Sequence, residues 1–194
     1  MPTPERTSRD AIIAVGREIL ERDGLAGLTM QAVAQRVGVK APSLYKRVRN
    51  RDDLVQLISE AILEELAAEV RDAVARAEEP ASRVAAVAVG FRAFAHRFPA
   101  GYQLIFAFGQ ASTRPSQESI VLSSEPLLDV AGALAGPDHA LEAARTLTAW
   151  AHGFVSMELA GAFNLGGDVD EAFAFGIRAL TSAFASAEGS QTAG

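Results

Sequence analysis

The chain has 194 residues, 49% of them apolar, enough to build a buried core and too apolar for global disorder. It contains no cysteine, which excludes disulfides, thiolate metal sites and cysteine nucleophiles and fits a reducing, cytoplasmic setting. The net charge of −6 speaks against a nucleic-acid partner until its distribution is considered: residues 1–60 carry ten Lys/Arg against eight Asp/Glu, and residues 61–194 carry eight against sixteen. A basic head on an acidic body points to a nucleic-acid face on the head.

Alanine, leucine and 3–4 spacing dominate from end to end, so the expected fold class is all-α. The first residues lack the apolar core of a secretory signal. Ile12, Ile13, Val15, Ile19 and Leu20 define a first helix over 7–22, ending at Asp23-Gly24. Thr29 caps a short second helix with Met30, Val33, Ala34 and Val37 inward, and Gly38 breaks it. Pro42 opens a third helix over about 42–48, where its missing N–H is harmless. Asn50, followed by Asp52 and Asp53, starts a long fourth helix whose apolar positions run from Leu54 to Val70.

Beyond Pro80, helices are expected over 81–97 and 100–109, then a loop over 110–117 and a helix over 118–135 with Pro126 inside it. Gly136-Pro137-Asp138 turns the chain into a helix over 138–163, which Asn164 to Gly167 end. Asp168 with Glu171 caps a last helix over 169–186, and the tail 188–194 is expected to fray. The apolar stretches 84–110 and 143–165 contain charged residues and are read as buried helices, not membrane spans.

Residues 29–48 have the spacing of a helix-turn-helix. Its recognition turn is thin, with Ala41, Pro42 and Ser43, and can enter a major groove. Leu44 and Val48 lie four apart and point to the core together. Lys40, Ser43, Tyr45, Lys46 and Arg47 are left to face DNA, with Thr29 and Gln31 reaching the flanking backbone. Arg51, at the start of the fourth helix, is expected to grip a phosphate.

The run GVKAPSLYKRVRNRDDL at 38–54 resembles the tetracycline-repressor (TetR) family of transcriptional regulators. Where that family often has histidine and phenylalanine, this chain has Arg47 and Val48. Trp150-Ala151-His152-Gly153, followed by Met157 to Gly161, is similar to one branch of the family. The resemblance implies a DNA-binding domain over 1–54 and a helical ligand-sensing and dimerising domain over 55–187. It also implies a homodimer on a palindromic double-stranded operator, released by an unidentified small apolar or amphipathic effector.

Phe173, Ile177, Leu180 and Phe184 form an apolar stripe expected at the dimer seam, where Gly153, Ala160 and Gly161 thin the preceding helix. Candidate pocket residues are Phe91, Phe94, His96, Phe98, Tyr102, Gln103, Phe106, Trp150, His152, Phe154 and Met157, with Phe108 in the same aromatic run. His152 also suits a hydrogen-bonded core position. An enzyme is not expected: the three histidines have no metal-ligand spacing, and no nucleophile elbow or phosphate-cradling glycine loop is present. No cofactor or metal is expected. A ligand-independent DNA-binding protein is the nearest alternative.

Overall fold

The structure is a computed structural model that describes residues 8–106 and 113–191, with side chains described as far as Ser186. Among the described residues the elements are nine α-helices and a short 3-10 turn at Pro137–His139, and no strand occurs. They form two compact units, Met1–Glu65 with Phe98–Val121 and Leu66–Arg97 with Leu122–Gly194. The long fourth helix expected from the sequence is α4, Arg51–Ala75, which begins in the first unit and ends in the second. Among the described residues no helix is long and apolar enough to cross a membrane.

In the first unit α1 spans Arg9–Gly27, and Ser8 caps it by accepting the Ala11 N–H. The expected stop at Gly24 becomes a kink: glycine takes φ 70° there and the helix resumes for one more turn. Helix α2, Met30–Val37, is capped by Thr29 Oγ1, 3.1 Å from the Ala32 nitrogen. It ends at left-handed Gly38, where the Gly38 and Val39 N–H groups bond back to Gln35 and Ala34. Helix α3 is only Ala41–Leu44, shorter than expected. The path stays turned to Val48, whose N–H still donates to Leu44, and the chain then straightens so that Asn50 can cap α4.

Ile12, Ile19, Leu20, Leu28, Val33, Leu44, Val48, Leu54, Ile58 and Ile62 are each at most 1% exposed and form the core of this unit. Gly16 lies where α1 meets α4, and a Cβ there would stand 2.5 Å from Ile58 Cδ1, so that side chain would have to shift. Helix α6, Pro99–Phe106, packs on α1. Glu21 secures it, its carboxylate accepting the Ala100 and Gly101 N–H groups at 3.1 and 2.7 Å.

The second unit is built from the end of α4, α5 (Pro80–Arg97), most of α7 (Gln117–Ala135), α8 (Ala140–Leu159) and α9 (Val169–Gln191). Helix α5 packs on both α8 and α9. Val84, Val130, Leu134 and Leu147 form one core cluster, with Leu180 and Phe184 packed against it. Helix α8 stops earlier than the expected residue 163. Gly161 takes φ 65°, and the Gly161 and Ala162 N–H groups bond back to Glu158 and Met157. Ala160 and Gly161 therefore end the helix rather than thin it. Asp168 caps α9, its Oδ1 accepting the Asp170 and Glu171 N–H groups.

Candidate nucleic-acid interface

The recognition turn divides as its spacing requires. Leu44 and Val48 are buried at 0% and 1%, while Pro42, Tyr45, Lys46 and Arg47 on the same turn are exposed. Tyr45, at 54%, is an aromatic ring held out in solvent. Ala41 and Ser43 are half-buried, and Lys40 is exposed just before them. Thr29 and Gln31 are exposed at the start of α2, where the Thr29 hydroxyl accepts a backbone N–H and keeps its own proton for another acceptor.

The basic run is less uniform than its sequence. Arg36 pairs with Glu18 at 3.0 Å. Arg49 is bracketed by Asp53, which accepts from its guanidinium and from its backbone N–H at 2.8 Å. Hydrogen bonding from the Arg49 guanidinium, more than from the backbone, holds the Asp53 carboxyl below the usual carboxylate range. Arg51 departs furthest from expectation. Its guanidinium donates to the Leu28 carbonyl at 2.7 Å and the Leu25 carbonyl at 2.5 Å, closing the end of α1. In this structure it braces the head rather than extending toward a ligand. Lys40 and Lys46 form no ion pair among the described residues. The Arg49–Asp53 spacing of four could have been read from sequence; the Arg51 brace joins residues 23 and 26 apart and could not.

The expected ligand-pocket residues fall in both units. Phe98, Tyr102, Gln103 and Phe106 belong to the first unit, and Phe91, Phe94, His96, Trp150, His152, Phe154 and Met157 to the second. Phe94 and Tyr102 are core residues at 0% and 1%, Phe91, Phe98 and Phe106 are half-buried, and His96, Gln103 and Met157 are exposed. Phe108 lies outside the described residues. Trp150, Phe154 and Phe173 pack together with ring centroids 5.0 to 5.8 Å apart. Trp150 lies so close over Gly176 that a Cβ there would fall 2.3 Å from its ring. Burial pushes the half-buried His152 imidazole below its ordinary pKa.

A charged cluster ties α5 to α8 and α9. Arg92 donates to both carboxylate oxygens of Glu158, pairs with Asp170 at 2.6 Å and lies 4.8 Å over the Phe173 ring. His96 Nε2 stands 3.0 Å from Glu158. Hydrogen bonding from Arg92, then from His96, holds the Glu158 carboxyl below its ordinary pKa. The fold thus favours the charged form. The resulting stability is full above the ordinary glutamate pKa and is lost as pH falls through the lowered value. Glu158→Gln is expected to cost about 2 kcal/mol at neutral pH and much less in acid. Thermal melts of both proteins across pH measure this; an equal cost at pH 7 and in strong acid contradicts it.

The apolar stripe expected at the dimer seam is covered within one chain. Phe173 and Ile177 are 2% and 5% exposed within one chain, and Leu180 and Phe184 pack against the core. The uncovered side of the same two helices is different. On α8 it carries Ala149, Gly153 and Met157, and on α9 Ala172, Phe175 and Ala179. Phe175 is 67% exposed and Met157 49%. Two apolar stripes share α9, and the more continuous one faces the core.

Comparison with known proteins agrees with this architecture. A family model described as "Bacterial regulatory proteins, tetR family" matches residues 12–58. A second, "Tetracyclin repressor-like, C-terminal domain", matches residues 84–180. An HTH-type transcriptional regulator of Mycobacterium tuberculosis is 26% identical over 170 residues, 86% of this chain and 76% of that protein. The class E tetracycline repressor of Escherichia coli is 41% identical over 58 residues, 30% of this chain and 28% of the repressor. Among solved structures, a protein of unknown function from Rhodococcus sp. RHA1 matches with a TM-score of 0.79 and 23% identity, covering 95% of this chain and 100% of that one. A TetR variant from Acinetobacter baumannii AYE in complex with minocycline matches at 0.67 and 24%, covering 91% and 96%.

Proposed function

This chain belongs to the TetR family of DNA-binding transcriptional regulators, and we propose that it is a homodimeric repressor released from a palindromic operator by a small molecule. The observation that carries this reading is the recognition turn, with Leu44 and Val48 buried beneath an exposed Tyr45, Lys46 and Arg47. A turn anchored on one side and polar and basic on the other suits a major groove. Lys46, Arg47 and the Tyr45 hydroxyl bind phosphate, while Lys40 and Ser43 face base edges. Thr29 and Gln31 hold the flanking strand.

One short helix reads few base pairs, so two-fold pairing is needed for an operator of useful specificity. The seam is assigned to the uncovered face of α8 and α9 around Gly153, Met157 and Phe175. Ligand sensing and pairing fall to residues 55–187, and all DNA contacts to residues 1–54. Effector release requires that the small molecule bind the DNA-free arrangement more tightly than the DNA-bound one. Helix α4 is the element common to both functions, since it begins at Arg51 beside the head's brace and ends at Ala75 in the second unit.

Salt dependence tests the phosphate role. Lys46→Ala removes one contact per subunit, two per dimer. The slope of log affinity against log salt is expected to flatten by about 1.8 on B-DNA, with similar weakening on all sequences. An unchanged slope removes Lys46 from the interface.

A further inference from the structure

The end of α4, the start of α5 and the second half of α7 line an open groove of about 380 Å³, within the second unit. That lies near the lower end of small-molecule sites, roughly 300–1,000 Å³. None of the aromatic residues expected to line a pocket borders it. Val74, Pro126 and Val130 give it an apolar floor, and Ala75 and Ala133 stand exposed at its edge.

Four charges line this floor. Arg71 comes from α4 and Arg83 from α5, while Glu125 and Asp129 stand one turn apart on α7. Opposite charges around so small a space would ordinarily close on one another. Among the described residues none of the four forms an ion pair, and Arg83 turns its Nε to the Ala77 carbonyl at 3.0 Å. The groove therefore holds a cationic side and an anionic side, with an apolar strip in its floor.

From this pattern we infer that the groove binds a small zwitterion, its carboxylate toward Arg71 and Arg83, its ammonium toward Glu125 and Asp129, and an apolar body across Val74, Pro126 and Val130. A purely anionic or cationic amphiphile matches one side and meets like charge on the other, so the rim itself supplies discrimination. The inference rests on the effector reading above and gives that effector a place and a chemical class. A molecule bridging α4 and α7 favours one spacing of those helices, the differential affinity that a switch needs.

Isothermal titration of the full-length protein with α,ω-amino acids of about four to ten carbons tests the site, with octanoate and octylamine as single-charge controls. The zwitterions are expected to bind saturably, with Kd on the order of millimolar for such small probes and tightest at one chain length. Octanoate and octylamine are expected to bind at least about threefold more weakly. Arg71→Ala should weaken the zwitterion about three- to tenfold and erase its advantage over octylamine, and Arg71→Lys should restore most of it. Ala133→Trp, at an exposed edge, should fill the groove and abolish binding, with circular dichroism confirming the fold. Absence of saturable binding at every length, equal binding of the controls, or binding that survives Ala133→Trp overturns the inference. A gel-shift assay separates it from the effector reading. Zwitterion binding without DNA release upholds the site and refutes its regulatory use. DNA release by a cell-extract fraction that acts equally on Ala133→Trp upholds the effector reading and refutes this groove.

Discussion

Phe175→Glu is expected to give a folded monomer that binds its operator at least about a hundredfold more weakly than the parent. Phe175 is 67% exposed on α9, and its neighbours on that face, Ala172 and Ala179, are small and exposed. Burying such a ring contributes about 2 kcal/mol, and two-fold symmetry doubles it. Glutamate removes that area and brings two carboxylates toward one seam. A monomer then loses the gain from tethering two heads, which alone is worth about a hundredfold or more. The contrast with Ile177 is diagnostic. At 5% exposure, Ile177→Glu buries an unpaired charge and is expected to unfold the second unit instead of splitting a dimer. Sedimentation and circular dichroism of both variants distinguish the two faces. If Phe175→Glu sediments as a dimer, the seam lies elsewhere.

Arg51→Ala is expected to destabilise the chain by about 2–3 kcal/mol, from two charge-assisted hydrogen bonds to backbone carbonyls. The melting temperature should fall by about 5 °C or more. The guanidinium reaches Leu25 and Leu28 together, holding the end of α1 against the start of α4. A lysine ammonium has no such planar fork, so Arg51→Lys should recover only part of the loss. A phosphate-binding Arg51 would behave in the opposite way, with little change in melting temperature and a flatter salt slope on DNA.

The sequence was most legible where signals are local. Thr29, Asn50 and Asp168 are caps that bond backbone groups two or three residues ahead, and each sits where its helix starts. Leu44 and Val48 were assigned inward by spacing alone, and both are buried. Legibility failed where an answer depends on distant residues. Arg51 has the composition and position of a phosphate ligand, but carbonyls more than twenty residues away hold it. The stripe from Phe173 to Phe184 is apolar at helical spacing whether it faces a partner or its own core, and periodicity carries no information on which. The aromatic run from Phe91 to Phe106 is contiguous in sequence, yet it is divided between two units. The groove brings together residues of α4, α5 and α7, and composition gives no sign of it.

The central claim is that two copies of this head read one palindromic site through the turn from Lys40 to Arg47. Hydroxyl-radical footprinting, on DNA that the purified protein selects from a random pool, tests it most directly. The expected result is an enriched sequence with dyad symmetry and two protected patches centred about 10 base pairs apart, or a multiple of that spacing. A single protected patch, or no enriched sequence, would contradict it.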